Sequence, residues 1–106
     1  MDCVLTVTVW DEPGARPRRY TLRGDPPGGD HPHPEAACAA IDRGEAPFAP
    51  VPPGTRCLEV WSGPQRATVE GTWRGAAVSA HYSRVNSCES ARWNALAPVF
   101  GTPDPS

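Results

Sequence analysis

Four cysteines, at positions 3, 38, 57 and 88, are spread over a chain of 106 residues, and they constrain its fold more than any other feature. A chain of this length buries only about two-thirds of its unfolded surface, so covalent staples supply stability that a small core does not. Four cysteines allow three pairings. In a small, loop-rich chain they fit an oxidising compartment. Met1-Asp2 has no apolar signal region behind it. The expected location is nevertheless secreted, with Met1 as an added start, and a cytoplasmic relative is the alternative.

Fourteen prolines and ten glycines would hint at disorder. Against that, Val, Leu, Trp, Tyr and Phe recur at strand-like spacing, which argues for an ordered domain of few regular elements and long shaped loops. Val4, Thr6, Thr8 and Trp10 alternate with Leu5, Val7 and Val9, a β-forming pattern. Asp11-Glu12-Pro13-Gly14 signals a turn, and residues 19–23 read as the returning strand. Residues 34–41 predict a short helix, with Pro34 in its first turn, Glu35 at its positive end and Gly44 to end it. Four prolines between Glu45 and Arg56 suppress regular structure. Strands follow at about 66–70 and 76–82, joined through Gly71–Gly75. A second helix is expected from Cys88 to about Leu96, and a last short strand near Pro98–Phe100.

A net charge of −2 without a basic stripe gives no footprint for nucleic acid. The longest apolar stretch falls far short of a membrane span. Asp30, His31, His33 and Glu35 form the one cluster with metal-ligand chemistry, but His-Pro-His lacks the converging geometry of zinc sites. Asp30 or His31 bracing the loop into the following helix is the expected role, and no metal or cofactor is expected. Ser79, Ser83, His81 and Asp42 carry hydrolase chemistry, yet nothing in the sequence draws them together. No enzyme is expected.

The order of several short segments says more. The opening strand Val4-Leu5-Thr6-Val7 is followed by Gly29-Asp30-His31-Pro32 and a helix carrying Cys38. Then come Arg56-Cys57-Leu58-Glu59-Val60-Trp61, the stretch Val69-Glu70-Gly71-Thr72-Trp73, and Val85-Asn86-Ser87-Cys88-Glu89. Six such segments in this order resemble the Streptomyces subtilisin inhibitor family, small secreted proteins that block serine proteases with an exposed loop. The resemblance runs from about Val4 to Phe100. It implies an α+β fold, an antiparallel β-sheet with two short α-helices stapled by disulfides. One domain would span residues 1–100, with a flexible tail at 101–106.

The resemblance also implies a site. Cys57 would pair with Cys88. The family's other bridge joins the helix cysteine, here Cys38, to a cysteine at the end of the second strand, where this chain has Gly24. If the first two strands form a hairpin, Cys3 lies across from Gly24 and can still reach Cys38, since facing residues sit only about 4.5–5.5 Å apart. The reactive loop would comprise Leu58, Glu59, Val60 and Trp61. Counting from Cys57 puts the scissile bond at Glu59–Val60; counting back from Pro64 gives Val60–Trp61, because one extra residue, placed at Ser62-Gly63, separates the cysteine from Trp73.

Glu59 departs from the family's usual Met or Lys, and Leu58 from its frequent proline. The expected partner is therefore a serine protease, subtilisin-like or glutamate-specific, and the alternative is a non-inhibitory binding module with a retired loop. Asn86 either braces the loop from beneath or caps a turn. Trp61 is expected to be exposed and Trp73 to sit in the core. A homodimer through one face of the sheet is expected, on a face that spacing does not identify.

Overall fold

The protein is described here by a computed structural model covering residues 3–24, 26–44 and 46–101. Four strands, β1 (Val4–Trp10), β2 (Arg18–Arg23), β3 (Arg66–Trp73) and β4 (Ala76–Tyr82), form one sheet in the order β2-β1-β3-β4, every pair antiparallel. Side-chain alternation decides its faces. Leu5, Val7 and Val9 of β1 are fully buried with Val69 of β3 and Leu22 of β2, and Val78, Ala80 and Tyr82 of β4 extend this core face. On the other face Thr6 lies between Thr21 and Glu70, and Thr8 between Arg19 and Thr68. Thr6, Glu70, Ser79 and His81 are exposed there, so this face is open to solvent around a buried Thr8.

Helix α1 (Pro34–Arg43) buries Ala37, Cys38, Ala40 and Ile41 in the core. It begins with Pro34, has Glu35 in its first turn and Arg43 in its last, and Gly44 closes it through its N–H to the Ile41 carbonyl. Helix α2 (Ser87–Ala95) buries Trp93, whose ring packs 4.3 Å from that of Phe100. The strand expected near 98–100 is instead a 3₁₀ turn over Ala97–Phe100, every residue of it buried, closed by Gly101 at φ 75°. A short buried apolar run does not reveal its period, and Pro98 suits a first helical turn better than a sheet ladder. Beyond Gly101 the expected tail lies outside the described residues.

The hairpin between β3 and β4 turns on two residues, Arg74 at φ 51° and Gly75 at φ 83°, the conformation whose twist matches paired strands. The loop before α1 is braced as the sequence suggested. The Asp30 carboxylate accepts from the Thr21 N–H. His31 is buried, its Nε2 donates to the Val99 carbonyl at 2.7 Å, and its Nδ1 accepts from the His33 N–H at 2.9 Å.

Candidate functional site

Residues 46–65 join α1 to β3 without helix or strand, as their prolines require. They are not loose. The Tyr82 hydroxyl donates to the Pro47 carbonyl at 2.7 Å, and burial pushes that hydroxyl's pKa up to about 12, so it stays a donor at any ordinary pH. Farther along, a disulfide joins Cys57 to Cys88 with their Cα atoms 5.4 Å apart. Closing a loop of 31 residues stabilises the fold by roughly 3–4 kcal/mol in the chain-entropy account.

Next to this bridge Leu58 is held twice by one residue. Its N–H donates to Ser87 Oγ at 2.8 Å, and its carbonyl accepts from the Ser87 N–H at 2.9 Å. Four residues on, the Ser62 N–H donates to the Arg84 carbonyl at 2.8 Å. Residues 57–62 thus run antiparallel to 84–88. Between the anchors Glu59, Val60 and Trp61 on one side face only Val85 and Asn86 on the other, so the loop side carries one residue more and bows outward, as a bulge does. The Val60 N–H turns back to the Leu58 carbonyl at 2.8 Å, a three-residue turn centred on Glu59.

The side chains of this arch point away from the body. Leu58 is 71% exposed, Val60 53% and Trp61 64%, with Val85 at 52% across the ribbon, and Glu59 is exposed as well. Such apolar side chains are seldom left together on a surface without a use.

Of the two roles open to Asn86, the structure assigns the cap. Its Oδ1 accepts from the Glu89 N–H at 2.9 Å, at the start of α2. The brace beneath the loop belongs to Ser87, which the sequence reading passed over. A hydroxyl beside a bridged cysteine was the available signal.

Arg92 fixes α2 to the sheet. Its guanidinium pairs with Glu89 at 3.1 Å, donates to the His81 carbonyl at 3.0 Å and lies over the Tyr82 ring at 4.4 Å.

A family model described as subtilisin inhibitor-like matches residues 2–87. The chain belongs to the subtilisin inhibitor-like family. It is 35% identical over 88 residues to subtilisin inhibitor-like protein 1 of Streptomyces cacaoi, covering 78% of this chain and 79% of that one. It is 37% identical over 78 residues to subtilisin inhibitor-like protein 15 of Streptomyces bikiniensis, covering 67% and 68%.

Among solved structures it resembles Streptomyces caespitosus sermetstatin, crystallised in complex with Bacillus licheniformis subtilisin. The TM-score is 0.59 at 28% identity, over 96% of this chain and all of that one. The subtilisin inhibitor-like assignment therefore rests on sequence and fold together. This member of the family holds its Cys57–Cys88 loop by the rungs just described.

Proposed function

We propose that this chain is a substrate-like serine-protease inhibitor whose reactive loop is residues 58–61 and whose scissile bond is Glu59–Val60. One observation carries the reading: a single segment combines side chains open to solvent with a backbone held at both ends, by Ser87 and the Cys57–Cys88 bridge before the arch and by Arg84 after it. A protease binds its substrate as an added strand. A segment already fixed in shape loses little conformational entropy on binding, which favours affinity, and its two ends stay in place if the bond is cut. Membership of an inhibitor family, and a relative solved in complex with subtilisin, support the same role. On this reading the chain is an inhibitor rather than an enzyme, and it acts outside the cell.

Glu59 sets the target. A carboxylate that enters an apolar pocket loses its hydration at a cost of several kcal/mol unless it is paired. The partner is then a protease with a basic or polar pocket, such as a glutamate-specific one. The deciding experiment measures inhibition constants of the purified protein against subtilisin-, trypsin-, chymotrypsin- and glutamate-specific enzymes. Tightest inhibition of the glutamate-specific enzyme is expected. A folded chain that slows none of the four is a binding module and not an inhibitor.

A further inference from the structure

The helix α2 meets the loop through its first residue. In any α-helix the first N–H groups have no partner within the helix. Here the third of them, on Glu89, is taken by the Asn86 side chain. The first, on Ser87, is aimed outward at the Leu58 carbonyl at 2.9 Å, and the Ser87 hydroxyl returns to take the Leu58 N–H at 2.8 Å. Both backbone groups of Leu58 are thereby tied to one residue at the fixed end of a helix. The neighbouring rung, Cys57 to Cys88, is covalent. Asn86, spent on the cap, gives its carbonyl oxygen to the helix and not to the loop.

We propose that Ser87 is the positioning residue of the arch: its hydroxyl and N–H fix Leu58, and through Leu58 they set the approach of Glu59 and Val60 to a protease. This rests on the inhibitory reading above. Removing the hydroxyl leaves the disulfide and the Ser87 N–H in place, so the fold survives, but Leu58 keeps one bond to residue 87 where it had two. A single bond of this kind contributes about 0.5–1.5 kcal/mol net, and its loss is felt as mobility next to the bond that must stay still.

The test compares the wild type with Ser87→Ala and Ser87→Thr. Amide hydrogen exchange at Leu58 is measured on the isolated proteins, and cleavage within 58–62 is followed with a trace of subtilisin. Inhibition constants are taken against whichever protease the wild type inhibits best. In Ser87→Ala, Leu58 exchange and loop cleavage rise and inhibition weakens by about tenfold, the equivalent of one such bond, while the melting temperature barely moves. Ser87→Thr, which keeps the hydroxyl, restores all three. A merely structural serine would lower the melting temperature and leave Leu58 exchange untouched. Exchange and cleavage unchanged in Ser87→Ala overturn the assignment whatever the wild type inhibits. Absence of inhibition by the wild type overturns the inhibitory reading instead, independently of the exchange result.

Discussion

Cys3 and Gly24 share one rung at the end of the β1–β2 hairpin: the Gly24 N–H donates to the Cys3 carbonyl at 2.9 Å, and a Cβ placed on Gly24 would lie 3.0 Å from that of Cys3. A cysteine moved from position 24 to position 3 therefore begins from nearly the same place. Cys38, on α1, reaches this rung from the other side, its thiol donating to the Arg23 carbonyl at 3.5 Å. Both cysteines are buried in the same core cluster.

A bridge between Cys3 and Cys38 is accordingly expected when the protein is made in an oxidising compartment. The two thiols lose two protons and two electrons to a small-molecule or oxidoreductase disulfide by exchange. Closing that loop would add roughly 3–4 kcal/mol. Non-reducing peptide mapping should yield Cys3–Cys38 and Cys57–Cys88 peptides. A Cys3–Cys57 or Cys38–Cys88 peptide would sink the pairing.

Gly71 sits in β3 with φ 140°, where a Cβ would come 2.2 Å from the Val4 carbonyl oxygen of the neighbouring strand. Backbone does not yield there, and the φ itself is hostile to a side chain. Gly71→Ala is expected to destabilise the protein by at least about 2 kcal/mol. Chemical denaturation measures it; a change within about 0.5 kcal/mol would show that the two strands can separate locally at little cost.

His31 gives the fold a dependence on acid. Burial lowers its pKa first of all, with the His33 charge acting in the same direction, while the Val99 carbonyl and Asp30 oppose them. The folded value therefore lies below the unfolded one of about 6.5. Above pH 6.5 neither state is charged and stability is at its full value. As pH falls below 6.5 the unfolded chain takes up the proton first, and stability drops until the folded value is passed. Protonation at Nδ1 also ends its acceptance of the His33 N–H. Denaturation midpoints should fall between pH 7 and pH 5, and His31→Asn should flatten that slope; an equal slope in both proteins assigns it to other groups.

If Glu59 enters the specificity pocket, the chain should inhibit a glutamate-specific protease better than subtilisin. Glu59→Met should reverse the order, because Met is apolar and adaptable. Four inhibition constants, two proteins against two enzymes, decide it. Should Glu59→Met leave all four unchanged while Val60→Glu shifts them, the scissile bond is Val60–Trp61.

The open sheet face is the expected surface for a second copy of this chain. It carries Thr6, Thr21 and Thr68, short side chains that let two sheets approach, with Arg19 and Glu70 available for pairing across a two-fold axis. Light scattering at micromolar concentration should give twice the monomer mass, and Thr6→Arg, at an exposed position of this face, should return it to one. A monomer mass for the wild type would refute the dimer.

Most of the fold was legible in the residues themselves. Alternation at Val4–Trp10 declared a strand with one buried face, Asp11–Gly14 a turn, and Pro34 with Glu35 the start of a helix, because these depend on neighbours a few positions apart. The order of segments around Cys57 and Cys88 led to the family. The run 97–100 was misread because four buried apolar residues carry no period of their own, and only packing against Trp93 and Tyr82 selects the 3₁₀ turn.

The site divided along the same line. Exposure of Leu58, Val60 and Trp61 followed from the family resemblance, which puts these positions on an exposed loop. Whether Asn86 would brace the loop or cap a turn did not, since its side chain can do either. That choice was made by the register of 57–62 against 84–88 and by where α2 begins. Such pairings join residues some thirty positions apart, and local chemistry holds no record of them; only the folded chain brings the partners to one place.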